Sequence, residues 1–441
     1  MNNNVGTLAR RQHKGLIVLG GLLLALVAGC GSKSGTTTTS TVPNSFINAS
    51  MVIGHNAYNL YKPNQAKSGD TVAPTASTLS NTTGSIATNG TLFYVADTNN
   101  HRILGWNEVP STPGQAADFV IGQANLTSND AGIGADGLAY PTKVSISDDG
   151  QYLVVADTGN NRVLIWNGLP TQNQPANVVI GQVDFNGDQP NQGLTAPTAA
   201  TLDNPTAAMI ANGKLFVVDN NNNRLLIWNT VPVANDTNAD VVWGQPQFST
   251  NVANCGQAQP QNDMNCTLFG NGNYPISAYS LNQPHDLWTD GRKMFVADSS
   301  NNRVLFWSQI PVANTTAATY VMGQGSFASG AGVGGTSQNT MSGPYSVASD
   351  GSRVFVADTN NNRVLVFNTF PTASAPNADT VLGQHFWTRK TANDDDQNGI
   401  QDAAPTARTL DLPTGVFVES AGGDVYVTDS ANNRVLAFNP Q

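Results

Sequence analysis

The chain has 441 residues, of which 39% are hydrophobic and only 11% charged, and its formal net charge is −10 at pH 7. A surface this acidic repels phosphate and argues against nucleic acid as a partner. With 42 glycines and 23 prolines and few charges, the composition suits an exported, β-rich chain with many turns.

Arg10, Arg11 and Lys14 form a positive n-region, and Leu16 to Ala28 form an apolar run. That run is too short to span a bilayer and fits a secretory signal core. It ends in Val27-Ala28-Gly29-Cys30, which resembles the lipobox of bacterial lipoproteins. The resemblance implies removal of residues 1–29 and lipidation of Cys30. The alternative is an ordinary signal peptide that leaves Cys30 as a spare thiol. Gly31, not Asp, follows the cysteine, and by the same analogy this favours the outer membrane of a cell that has one. Losing the three leader cations takes the mature charge to about −13. Residues 30–50 are Ser/Thr-rich and nearly uncharged, the composition of a tether. Residues 51–441 exceed a typical domain, so two domains or one repeat array is expected.

One phrase recurs six times: YVADTNNHRILGWN from Tyr94, VVADTGNNRVLIWN from Val154, FVVDNNNNRLLIWN from Phe216, FVADSSNNRVLFWS from Phe295, FVADTNNNRVLVFN from Phe355 and YVTDSANNRVLAFN from Tyr426. Each joins two short β-runs through an Asn-rich turn, the pattern of a hairpin. The turn is flanked by Asp97, Asp157, Asp219, Asp298, Asp358 or Asp429 and by Arg102, Arg162, Arg224, Arg303, Arg363 or Arg434. Between hairpins lies a V-x-G-Q element, at Val120, Val179, Val242, Val321 and Val381, with Leu126, Phe185, Phe248, Phe327 or Trp387 shortly after it. A third element places a Leu, in most copies a Pro, and a β-run before each hairpin, as in LNQPHDLWTDG from Leu281. Each unit thus offers four strand-sized segments, and units that cannot bury a face alone must stack. One out-of-place copy, VIGH from Val52, precedes the first hairpin, and none follows the last. The economical solution is a ring closed by the N-terminal strand, which removes free sheet edges.

A β-run, ADxxNNRV and a second β-run resemble the NHL repeat, and six copies over 51–441 match a six-bladed NHL β-propeller, with links longer than usual between GQ and Pro. A motif repeated around a ring reads as scaffold: the Asp is expected to accept hydrogen bonds from the turn backbone and the Arg to pair with an acidic or carbonyl group. Trp106, Trp166, Trp228 and Trp307 share one strand position and read as blade-to-blade packing. Aligned on the Pro, the channel mouth should carry Thr83 and Gly84, Thr142 and Lys143, Thr206 and Ala207, His285 and Asp286, Tyr345 and Ser346, Thr414 and Gly415. Only one blade offers a His beside an Asp. The amidating and streptogramin lyases resemble this fold, but their need for clustered His is not evidently met here, since a catalytic zinc wants about three protein ligands.

Two local features remain. Cys255 and Cys266 in an exported chain read as a disulfide; a metal site is the weaker reading, with no His nearby. DDDQNGIQD, from Asp394 to Asp402, spaces Asp394, Asp396, Asn398, Ile400 (by its carbonyl) and Asp402 as in a calcium loop, with Gly399 at the sharp turn. Pro405 stands where an EF-hand has its bidentate Glu, so the expectation is a modest Ca²⁺ site; the alternative is a solvated acidic loop. Together these features predict a lipid-anchored, non-catalytic binding or scaffold module at the cell envelope, taking a protein or polymer on its loop face. The alternative is a lyase-like enzyme centred on His285 and Asp286.

Overall fold

The computed structural model describes residues 46–65, 72–83, 85–256, 265–267, 274–314, 316–330, 332, 335–419 and 423–439, all within the compact unit Val42–Gln441. The leader, Cys30, the tether up to residue 45 and Gly84 lie outside the described residues.

Twenty-four strands form six four-stranded antiparallel sheets. Strand β1 (Met51–Ile53) comes first. Blade 1 is β2 (Ile86–Thr88), β3 (Phe93–Asp97), β4 (Arg102–Trp106) and β5 (Phe119–Ile121). Blade 2 is β6 (Pro141–Ile146), β7 (Tyr152–Asp157), β8 (Arg162–Asn167) and β9 (Val178–Ile180). Blade 3 is β10 (Pro205–Ala211), β11 (Lys214–Asp219), β12 (Arg224–Trp228) and β13 (Val241–Trp243). Blade 4 is β14 (Pro284–Thr289), β15 (Met294–Asp298), β16 (Arg303–Trp307) and β17 (Tyr320–Met322). Blade 5 is β18 (Pro344–Ser349), β19 (Val354–Asp358), β20 (Arg363–Phe367) and β21 (Thr380–Leu382). Blade 6 is β22 (Pro413–Val418), β23 (Val425–Asp429) and β24 (Arg434–Phe438), and its fourth strand is β1. Met51, Val52 and Ile53 pair with Ala437, Leu436 and Val435, so the two ends of the chain close the six-bladed propeller within one sheet.

The second and third strands are buried along nearly their whole length, because both faces of each blade are covered by neighbouring blades. Six apolar clusters result, each mixing residues of two adjacent blades. Trp106, Trp166, Trp228 and Trp307 sit in these seams, and each indole N–H reaches a carbonyl in the connection to the fourth strand. The G of each V-x-G-Q is required by its backbone: Gly122 has φ +89°, and a Cβ there would lie 2.5 Å from Leu138 Cδ1. The Leu of the third element therefore packs directly on that glycine.

The propeller begins before the tether's expected end at residue 50. Ala49 is buried and donates its N–H to the Ala407 carbonyl at 2.7 Å, while Arg408 stacks over Phe46. Cys255 and Cys266 form a disulfide in the blade 3–4 link.

Candidate functional site

The recurring turn comes first. In five blades a single 3₁₀ turn follows the Asp, and the next residue is left-handed: His101, Asn161, Asn302, Asn362 and Asn433 all have φ between 52° and 53°. Asn223 holds the same place in blade 3, with φ 53°. Asn tolerates that conformation at little cost.

The Asp does not cap its own turn, contrary to the expectation from sequence. Instead Asp97 receives Arg102 Nε at 2.7 Å, Asn100 Nδ2 at 2.8 Å and the distant Ser80 N–H at 2.8 Å, and the other five copies repeat this set. All six Asp–Arg pairs are wholly buried, at 2.6–2.7 Å. Burial pushes each carboxyl up, and the adjacent guanidinium opposes that shift.

Each Arg then ties its blade to three link carbonyls; for Arg363 these are Trp387, Ser337 and Thr340, at 2.7, 2.9 and 2.9 Å. The apolar residue after each GQ is thus one whose carbonyl the guanidinium binds. The turn also reaches the next blade. Thr359 donates to the Pro413 carbonyl at 2.7 Å, and Asn362 accepts the Leu412 N–H at 2.7 Å. The motif is a set of staples whose polar groups are committed to the scaffold.

Ten of the twelve residues expected at the channel mouth line its throat; Ser85 joins them, Ala207 does not, and Gly84 lies outside the described residues. In blades 2 to 6 the innermost strand starts at Pro and bulges one residue later, so Thr142, Thr206, His285, Tyr345 and Thr414 fall at the bulge. Together with Thr83 they edge a throat of about 20 Å³, and above it, on the face of the hairpin turns, a basin of about 460 Å³ is bordered by Thr83, His285, Tyr345 and Thr414. Such a throat is large enough for about one water.

His285 and Asp286 are neighbours in sequence but do not form a dyad. The His285 ring stacks on Tyr345, with centroids 3.7 Å apart, and its Nδ1 has no partner. Burial pulls His285 down to about 4, so the ring is neutral at pH 7 and a weak base. Asp286 turns across the channel to Lys143 Nζ at 2.9 Å and also accepts Ser346 Oγ at 2.6 Å, Leu287 N–H at 2.8 Å and Val347 N–H at 3.3 Å. A carboxylate held by four donors braces blades 2, 4 and 5. Lys143 was not singled out from sequence, yet a signal existed. Of the twelve mouth positions it is the one Lys or Arg and Asp286 the one carboxylate. Among the described residues, no acid, base and metal-ligand set converges on the channel.

His55, from VIGH, takes the place that Gln holds in the other blades. Gln245 Nε2 donates to the Asn223 and Val252 carbonyls at 3.1 and 2.8 Å. His55 reaches only the Asn432 carbonyl, at 3.2 Å, and leaves Nδ1 without a partner in the interior. Burial pulls it down to about 4. His101 is the left-handed turn residue of blade 1, and its Nδ1 accepts the Tyr140 N–H at 3.0 Å.

The acidic loop brings Asp394, Asp396 and Asp402 together, one oxygen of each lying within 4.8 Å of the others. Asp394 is buried and accepts the Asn398 and Gly399 N–H groups at 3.0 and 2.8 Å. Asn398 keeps its side chain within the loop, with Oδ1 on the Ile400 N–H at 2.7 Å, and Ile400 is exposed. Asp395 turns away to a two-bonded pair with Arg408. This donor set is all oxygen, the chemistry of a hard cation.

Fold and site together define a six-bladed β-propeller, consistent with the NHL-repeat propellers in general, whose channel is braced shut by an ion pair. In comparisons with known proteins, no protein-family model matches the chain and no curated protein proved similar.

Proposed function

We propose that this propeller is a non-catalytic binding module of the NHL type, held at the cell envelope by a lipid on Cys30. A protein or polymer partner rests on the face that carries the hairpin turns and the long links. One observation carries this reading. The carboxylates and cations of the repeat and of the channel are committed to the scaffold and burial keeps the His285 ring neutral, while the basin at the mouth stays open and about 460 Å³ in volume. Exposed loops on a rigid ring are where binding residues gather. Leu412, just before the Pro of blade 6 and 43% exposed, is the apolar point of that rim, and Tyr140, at the same place in blade 2 and 49% exposed, lies on the same face beside the turn residue His101.

In the same reading, the 394–402 loop takes Ca²⁺ through Asp394, Asp396 and Asp402, with the Asn398 oxygen and the Ile400 carbonyl completing the shell. Its place in a blade-to-blade link would let the ion stiffen part of the binding face.

The test is affinity capture from envelope extracts with the full lipoprotein as bait. A specific partner should be retained by His285→Ala and lost with Tyr140→Asp/Leu412→Asp at unchanged thermal stability. Capture that survives the rim variant would refute the placement. A soluble substrate turned over by wild type but not by His285→Ala would refute the non-catalytic reading.

A further inference from the structure

The far half of the channel is built from different chemistry. Beyond the Lys143–Asp286 brace, the innermost strands present Ile146, Met209, Trp288 and Phe417, each only half-buried, around a cavity of about 100 Å³. Apolar side chains left half-exposed in a concave, preformed site are the usual lining of a small-molecule pocket. Among the described residues no carboxylate lines it, and the one cation bordering it, Lys143, is neutralised by Asp286. Three hydroxyls line it; Ser145 already donates its O–H to the Ala208 carbonyl at 2.8 Å, which leaves Thr88 and Ser349 to set the polarity. Thr88 Oγ1 accepts the Gly90 N–H and Ser349 Oγ accepts the Gly351 N–H, both at 3.0 Å, across the tight turns at this end. With one of its two lone pairs taken, each hydroxyl still has its O–H to offer to a ligand.

We propose that this cavity is a second binding site, separate from the loop face, for a small uncharged molecule with an alicyclic or aromatic body and one hydrogen-bond-accepting oxygen. The body lies between Trp288 and Phe417, and the oxygen faces the Thr88 and Ser349 hydroxyls. An apolar cavity of about 150 Å³ holds benzene; this one is smaller, about 100 Å³, but open at the channel end, so a six-membered ring fits by extending partly into that opening. A charged head group is disfavoured. An ammonium would exchange its hydration shell for the one lone pair left on each hydroxyl. A carboxylate would add an unpaired charge beside an ion pair already in balance.

The experiment uses the full chain and three probes of one shape: cyclohexanone, cyclohexanecarboxylate and cyclohexylammonium, titrated by saturation-transfer NMR. Cyclohexanone should bind saturably at millimolar concentration, and the two ions about tenfold more weakly or not at all. Ala348→Phe, which fills the cavity from its blade 5 wall and leaves the brace intact, should abolish binding. Thr88→Val/Ser349→Ala should weaken cyclohexanone about tenfold, as expected for one or two lost hydrogen bonds, and serves as the test should Ala348→Phe fail to fold. Absence of saturable binding to wild type, equal binding of either ion, or a response unchanged in the variants that fold would overturn the assignment.

Discussion

His55→Gln should make the protein less sensitive to acid. In blades 2 and 3 the matching Gln spans two backbone carbonyls, whereas His55 reaches one and buries an unpartnered nitrogen. Burial, the larger cause, and Arg434 hold its pKa near about 4 in the folded protein, against 6.5 in the unfolded chain. A lowered histidine pKa means the unfolded state takes up the proton first. The stability tied to the neutral ring is therefore fully present above pH 6.5 and is lost as pH falls toward 4. The ratio of the two protonation terms gives a loss of about 2 kcal/mol at pH 5 and about 3 kcal/mol once pH is below both values. At pH 7 the same term is only a few tenths of a kcal/mol. Glutamine has no such term and supplies the donor that its counterparts use. Urea unfolding of wild type and His55→Gln at pH 7 and pH 5 isolates the effect, because every other titrating group is common to both proteins. The variant should lose about 2 kcal/mol less than wild type between the two conditions. Equal losses would mean that the ring is not held neutral by its surroundings, and the reasoning from its burial would fail.

Other expectations concern the ring, the buried pairs and the acidic loop. Arg363→Met strands the Asp358 carboxylate in the interior and should cost about 3–5 kcal/mol in equilibrium unfolding, with part recovered in Asp358→Asn/Arg363→Met. Deleting residues 51–58 removes β1 and the Tyr58 carbonyl that Arg434 binds, so the blade 6 edge is bared; light scattering should report aggregation, and unchanged melting and solubility would contradict the closure. If the acidic loop takes calcium, millimolar Ca²⁺ against chelator should raise stability by about 1.4 kcal/mol when the ion is near ten times its Kd. The gain should vanish in Asp394→Ala/Asp396→Ala, and identical calorimetric responses would leave only a solvated loop. Cys30→Ser should release the protein from membranes, and salt-resistant sedimentation of the variant would exclude the lipid anchor.

What could be read from the sequence was what the sequence repeats. Six hairpins in register, a V-x-G-Q before each link and a stray VIGH at the front determine blade count and closure, because sheet edges must be paired. What could not be read was what the ring assembles at a distance. Lys143 and Asp286 are 143 residues apart and meet only because blades 2 and 4 face one channel. The Arg was expected to pair with an acidic or carbonyl group and does both, but the place of the Asp was missed for a local reason: an Asp before a polar turn ordinarily caps it. Here the 3₁₀ turn directs the carboxylate inward, to a backbone N–H some seventeen residues earlier. The calcium-like spacing was legible, but not that Asp395, which has no place in that spacing, would pair with Arg408. The far cavity had no signature at all, since its walls are the same apolar residues that any strand would carry.

The pairing of β1 with β24 makes the molecule, in effect, a circle with a single nick. In blades 1 to 5 the third and fourth strands are joined by a covalent connection, such as 107–118 in blade 1. In blade 6 that connection is missing, and three residue pairs stand in for it. A covalent bridge of similar length between residues 438 and 51 would heal the nick. Opening the chain in the corresponding connection of another blade would move the nick without altering a single sheet. The order in which the blades are written along the chain is therefore independent of the object they build, and any of the five joined blades could have carried the ends.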